Sequence, residues 1–180
     1  MNKYALRAVT CSLEWMSSNA TLRVGIVGAS GFTGAELMRL IANHPNMSLA
    51  VAAGDTQAGT SVRSLYPSLA SDFSDMLYSA YDPTDFVGLD AVFLGLPHMA
   101  SQPVVGDLFK EVGCILDLGS DFRLKDPALY PQWYGAEHTM PELLNEFVYG
   151  LPELYRRDLK GARGIAVTGC YPTAASLALS

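Results

Sequence analysis

This sequence predicts an α/β fold built on a doubly wound parallel sheet, and three observations carry that expectation. Short, continuous apolar runs recur along the chain, as strands buried on both faces require. Segments with apolar residues at helical spacing separate them, so strand and helix alternate. A glycine-rich stretch, Gly28-Ala29-Ser30-Gly31-Phe32-Thr33-Gly34, lies between the first apolar run and the first helical segment.

Leu22 to Val27 reads as the first strand. Thr33 to Ala42 reads as a helix, with Leu37, Leu40 and Ile41 at helical spacing and His44-Pro45 ending it. Leu49 to Ala53 is the second strand. From Gly54 to Asp85 the pattern weakens among Gly, Pro and Ser. Ala91 to Leu94 is again a strand, followed by a helix through Val104, Val105 and Phe109, and Cys114 to Leu116 is a further buried strand. From Asp117 to Arg163 aromatics, prolines and charges crowd together with little periodicity, which reads as a long ordered excursion. Gly164 to Val167 is the last strand, and Ala174 to Leu179 is helix-forming.

The chain has 180 residues, of which 49% are hydrophobic and 17% charged, enough to bury a sizeable core. A net charge of −6 argues against nucleic acid or an anionic membrane as partner. No apolar stretch approaches the roughly 18 residues of a membrane span. The 3 cysteines, Cys11, Cys114 and Cys170, are too few and scattered for a disulfide framework or a metal site. A reducing, cytoplasmic setting is the default. Residues 1–20 differ in texture. Lys3 and Arg7 are their only basic residues and Glu14 is acidic, which fits a short extension better than an Arg-rich, acid-poor transit peptide.

The glycine loop has the spacing G-x-x-G-x-x-G, a variant of the dinucleotide fingerprint. Its glycines permit a tight turn and close backbone approach, while a pyrophosphate rests on the helix N-terminus. The expected fold is therefore Rossmann-like, with Gly28, Ser30, Gly31, Phe32, Thr33 and Gly34 as cofactor-binding candidates. Asp55, about 20 residues beyond Gly34, is placed to bond a ribose 2′-hydroxyl and so to favour NAD over NADP. It is equally readable as a solvated loop residue, and Arg63 lies nearby. NADP and NAD both stay open.

Cys170 stands in Val167-Thr168-Gly169-Cys170-Tyr171-Pro172-Thr173, at a strand-to-helix turn. Orphan N–H groups and the positive end of the helix dipole there favour thiolate over thiol. Pro172 suits a first helical turn. The alternative is an inert, buried cysteine. A dinucleotide domain followed by a nucleophilic thiol implies acyl attack by the thiolate and hydride exchange with a nicotinamide, on an aldehyde or its activated acyl counterpart.

Longer runs sharpen this. The glycine loop continued to Leu37 is joined by Phe93-Leu94-Gly95-Leu96-Pro97-His98 and Asp117-Leu118-Gly119-Ser120-Asp121-Phe122-Arg123-Leu124. Further along stand Trp133-Tyr134-Gly135, His138, Pro141-Glu142-Leu143-Leu144, Tyr149-Gly150-Leu151-Pro152-Glu153-Leu154 and Gly169-Cys170-Tyr171-Pro172-Thr173-Ala174-Ala175. In these runs, from Arg23 to Leu179, the sequence resembles the N-acetyl-gamma-glutamyl-phosphate reductase family of arginine biosynthesis. The glycine loop is also similar to that of the aspartate-semialdehyde dehydrogenases.

The resemblance implies NADPH-dependent reduction of a small acyl phosphate to N-acetylglutamate semialdehyde through a thioester on Cys170. It implies that Leu96 and Pro97 border the nicotinamide, and that Ser120 and Arg123 bind a substrate anion. Arg123 is alternatively a salt-bridge partner of Asp121 or Asp126. Related substrates, aminoadipyl or aspartyl phosphate, stay open, as does a nucleotide-binding domain without turnover. The family runs much longer, is expected to form homo-oligomers, and takes its acid–base histidine from the remainder. His44 reads as a surface cap, His98 as lying near the cofactor and His138 as a packing residue. The expected division is residues 1–20 as extension, 21–168 as dinucleotide domain and 169–180 as the start of a catalytic α+β domain, with apolar surface exposed around Ala175 to Leu179. Two departures stand out: Thr168 replaces a common proline, and Asp55 stands where the family often has Ser or Arg.

Overall fold

A computed structural model describes residues 21–180. The expectations for residues 1–20 lie outside the described residues. Six strands form one sheet: β1 (Leu22–Val27), β2 (Met47–Ala53), β3 (Ala91–Leu94), β4 (Cys114–Asp117), β5 (Phe147–Gly150) and β6 (Gly164–Val167). Their order is β2-β1-β3-β4-β6-β5, and every pairing is parallel. The direction in which the sheet grows reverses at β1, so β1 and β3 flank the crevice where such sheets bind ligands.

The pairing register aligns the strand ends. Ala53 pairs with Val27, Val27 with Leu94, Leu94 with Asp117, Asp117 with Ala166, and Ala166 with Tyr149. One row of residues thus crosses the whole sheet, and each connection beyond it leaves from the same edge.

Both faces are packed, as side-chain alternation along the strands dictates. On one face Val24 and Ile26 of β1 meet Met38 and Ile41 of α1 (Phe32–Ala42). Val62, in the one-turn α2 (Val62–Leu65), and Tyr78 complete that cluster. On the other face Val92, Leu94 and Ile115 pack against Val104, Val105 and Leu108 of α3 (Ser101–Leu108), with Phe86, Phe122 and Phe147 around them. Gly25 leaves room for Phe86, since a Cβ there would lie 2.8 Å from its ring.

Residues 117–163 are more regular than their texture suggests. They hold the short helices α4 (Tyr130–Tyr134) and α5 (Pro152–Tyr155) and, between them, β5, which becomes the sheet's outer strand beyond β6. Its residues, Phe147-Val148-Tyr149-Gly150, do not stand out as an apolar run from the aromatic stretch around them, so β5 escaped the sequence reading. Aromatic stacking anchors it, with Phe147 against Phe122 at 4.1 Å and Phe109 at 5.8 Å between ring centroids.

The last helix, α6 (Cys170–Leu179), has no buried residue; Leu177 and Leu179 are exposed, in line with the apolar surface expected there.

Replacing Ile115, wholly buried between the sheet and α3, by alanine should cost about 2–5 kcal/mol. The exposed Leu40→Ala should change stability by about 0.5 kcal/mol or less. Urea denaturation of both variants checks the pair, and similar midpoints would contradict the packing.

Candidate active site

The aligned strand ends set out the candidate residues in spatial order. Beyond β1 comes the glycine loop, beyond β3 Gly95 to His98, beyond β4 Leu118 to Arg123, and beyond β6 Thr168 to Cys170. With about 4.8 Å between neighbouring strands, β1 and β6 stand about 14 Å apart.

Gly28 adopts φ +85°, and a Cβ on it would lie 2.4 Å from the carbonyl oxygen of Gly95. No other residue type fits both constraints. Gly95 donates its N–H to Val27 O at 2.8 Å, so the loops after β1 and β3 lie against each other. A Cβ on Gly34 would meet Ala29 O at 2.4 Å, which lets α1 pack tightly on the loop. Gly31 precedes α1 as its N-cap and offers no side-chain cap, and Gly31, Phe32 and Thr33 are exposed. First-turn N–H groups therefore face outward beside backbone that only glycine permits, a cradle of the kind that accepts a phosphate.

Ser30 is half-buried against Gly54, and its carbonyl accepts the Tyr66 hydroxyl at 3.0 Å. Asp55 follows β2 and is exposed, but its Oδ1 accepts the Tyr81 N–H at 2.6 Å. One carboxylate oxygen is thus engaged in holding the Tyr81 strap. Leu96 is half-buried against the core, and Pro97 is exposed.

Beyond β4 the polar groups interlock. Asp117 is fully buried; its Oδ1 accepts Ser101 Oγ at 2.7 Å and Gly119 N–H at 3.0 Å, while Oδ2 has no partner among the described residues. Burial is the main cause that pushes its carboxyl up to about 6; the two hydrogen bonds and Arg123 oppose the rise and Asp121 adds to it. Asp121, also fully buried, accepts Met99 N–H at 2.8 Å and Ser101 N–H at 2.9 Å. It thereby holds Met99 at φ +67°, the left-handed region that non-glycine residues rarely enter.

The aromatic segment closes over this turn. The Asp121 carbonyl accepts Tyr130 Oη at 2.6 Å and His138 Nε2 at 2.8 Å. His138 Nδ1 accepts Met140 N–H at 3.1 Å, so its proton sits on Nε2, and burial holds its pKa below the ordinary imidazole value. His138 is a buried packing and hydrogen-bonding residue, and His44 is exposed at the end of α1, as their sequence contexts suggested.

Arg123 forms neither salt bridge considered for it. Its Nε donates to Val167 O at 2.9 Å and an Nη to Leu118 O at 3.1 Å, tying the ends of β6 and β4 together. Its other Nη lies 3.0 Å from where a Gly169 Cβ would stand, which brings the guanidinium beside the Cys170 turn. Cys170 is the first residue of α6 and is exposed, so it is not the buried cysteine of the alternative reading.

Sequence reasoning missed the coupling among Ser101, Asp117, Asp121 and His98. Its local signal was the run Asp117 to Asp121, whose two acids flank Gly119-Ser120 yet are both buried.

The fold and this edge define a dinucleotide-binding domain with a thiol at the start of the helix after its last strand. The chain belongs to the semialdehyde dehydrogenase NAD-binding domain family, whose model matches residues 23–162. It is 44% identical over 158 residues to the N-acetyl-gamma-glutamyl-phosphate reductase of Ectopseudomonas mendocina, covering 88% of this chain and 46% of that protein. The reductase of the same name from Symbiobacterium thermophilum is 44% identical, with 88% and 45% covered. The chain thus spans a little under half the length of these curated relatives. Among solved structures, Vibrio cholerae aspartate semialdehyde dehydrogenase II matches with TM-score 0.57 at 16% identity, covering 88% of this chain and 45% of that one. The Candida albicans aspartate semialdehyde dehydrogenase with NADP gives 0.53 at 18%, with 85% and 44% covered. These likenesses show the fold. Among the described residues no helix is long and apolar enough to cross a membrane.

An acid whose folded-state pKa is raised makes stability fall as pH rises, between its unfolded and folded values. For Asp117 that window runs from 3.8 to about 6. The loss should approach ~3 kcal/mol and level off above it. Asp117→Asn should flatten the profile in that window, measured as urea midpoints across the pH range. An unchanged slope would contradict the assignment.

Proposed function

We propose that this chain binds NADPH and supplies the nucleophile for reduction of N-acetyl-gamma-glutamyl phosphate to N-acetylglutamate semialdehyde. The observation that supports this most is the ordering at the sheet edge: glycine cradle, Leu96-Pro97, Ser120-Arg123 and Cys170 follow one another over neighbouring strands. The similarity to curated reductases of that name supports the choice of substrate.

In this reading the backbone of Gly28 to Gly34 receives the pyrophosphate, and Leu96 with Pro97 borders the nicotinamide. NADPH, when bound, supplies the hydride. The Cys170 thiolate attacks the acyl carbon, a C–S bond forms, and the C–O bond to phosphate breaks with both electrons leaving on phosphate. Ser120 hydrogen-bonds an anionic group of the substrate, while Arg123 places positive charge beside it. The acid–base group belongs to the remainder of the longer protein, with residues 169–180 opening its catalytic domain. A cytoplasmic, homo-oligomeric full-length enzyme completes the proposal, with the exposed apolar residues of α6 covered in that assembly.

For the 180-residue chain taken alone, a second reading is dinucleotide binding without turnover. The surroundings of Cys170 favour it: the residue is exposed and its Sγ has no hydrogen-bond partner among the described residues.

Calorimetric titration with NADPH and NADH tests the cofactor half. NADPH should bind more tightly, and Gly28→Ala should weaken binding roughly tenfold or more. Tighter NADH binding would put Asp55 on the ribose and count against the biosynthetic assignment, and failure of both cofactors would remove it. Alkylation of Cys170 by iodoacetamide, followed by mass spectrometry, tests the other half. Reaction faster than free cysteine supports the nucleophile, and reaction no faster favours the second reading.

A further inference from the structure

His98 sits where three loops meet. It follows Leu96-Pro97 at the end of β3, and its ring lies 4.6 Å from that of Tyr134. Its Nδ1 is hydrogen-bonded to Ser120 Oγ and lies 3.5 Å from Asp121 Oδ1. The side chain is 40% exposed while that of Asp121 is wholly buried, so the imidazole caps a buried carboxylate at the rim of the site.

The geometry decides which nitrogen carries the proton. Asp121 accepts N–H groups on both oxygens, the pattern of a carboxylate. A bare Nδ1 would turn its lone pair toward that negative charge at 3.5 Å. A protonated Nδ1 is instead attracted to it and can donate to Ser120 Oγ at the same time. Of the two neutral tautomers, this geometry favours Nδ1–H at His98. His138 is the opposite case, because the Met140 N–H occupies its Nδ1.

The consequence falls on Ser120. A hydroxyl has one proton to give, and among the described residues His98 Nδ1 is the one hydrogen-bond partner of this Oγ. If Nδ1 is the donor, Ser120 Oγ accepts and its own proton is left to point elsewhere. We infer that Asp121 and His98 form an orienting couple that turns the Ser120 hydroxyl into an outward donor for a substrate oxyanion, a carboxylate or phosphate oxygen. His98 is on this account a positioning residue and Ser120 the binding one. The Met99 turn, fixed by Asp121, holds the imidazole in place, and the Tyr130 and His138 bonds to the Asp121 carbonyl fix the turn from below.

This deepens the proposed function and rests on it for the nature of the anion, but the tautomer can be read without substrate. Long-range ¹H–¹⁵N NMR of the full chain at about pH 8, above the ordinary imidazole range, should show Nδ1–H for His98 and Nε2–H for His138. An Nε2–H signal at His98 overturns the inference. Inorganic phosphate, titrated under the same conditions, probes the donor. Ser120→Ala and His98→Ala should each weaken its binding roughly tenfold. His98→Asn, which retains an N–H donor, should restore most of it. Equal binding by parent and Ser120→Ala, or no binding by the parent, overturns the donor role while leaving the NADPH and Cys170 tests of the proposed function unaffected.

Discussion

The molecule depends on all six strands pointing the same way and ending on one row. Parallel pairing demands a crossover between successive strands, and each crossover leaves from the C-terminal edge. Loops far apart in sequence are thereby brought side by side without any contact having been made between them first. The glycine loop and Gly95 touch because Val27 and Leu94 are paired, and the Ser120 turn lies beside the Cys170 turn because Asp117 and Ala166 are paired. A one-residue slip in any pair would turn inward-facing side chains outward, and two packed faces make such a slip costly. The core that stabilises the fold therefore also sets the spacing of the site.

A polar layer lies between that core and the rim. Asp117, Ser101 and Asp121 are fully buried, an arrangement that costs free energy unless each group is paired. Asp121 is well served by two N–H groups, whereas Asp117 keeps one oxygen without a partner among the described residues, and burial raises its pKa. At the start of α3 the negative charge of Asp121 is favourable, whereas the desolvated Asp117 costs stability. What they hold is the left-handed Met99 and, through it, the position of His98 and Ser120. Stability is given up at this level for a loop geometry that backbone preferences alone would not adopt.

Much of this was legible in the residues because it is local. A run such as Ala91-Val92-Phe93-Leu94 reads as a buried strand, and a glycine triplet between a strand and a helix marks where the helix N-terminus is to be approached. β5 was not legible, since its four residues do not stand out from the aromatic stretch around them and owe their conformation to Phe122, Phe109 and the neighbouring β6. The buried acids were misleading in a different way. Asp121 sits in the stretch read as a long ordered excursion, and its burial follows from Tyr130 and His138, which reach back to its carbonyl from 9 and 17 residues away. The long aromatic segment thus has a definite use: it clamps the turn beyond β4.

Arg123 shows how a structural and a functional role can share one side chain. Considered as an anion binder or as a salt-bridge partner, it turns out to join the carbonyls of Leu118 and Val167. A guanidinium has five N–H donors, and these two bonds leave others beside Gly169. Its charge also lowers the cost of ionising Asp117 below it. Fixed at two points, the guanidinium loses little further freedom on meeting an anion, so binding there costs less ordering entropy than a free surface arginine would require. The bonds that join β4 to β6 thus hold a positive charge beside the Cys170 turn, on the side of the edge where the proposed chemistry releases phosphate.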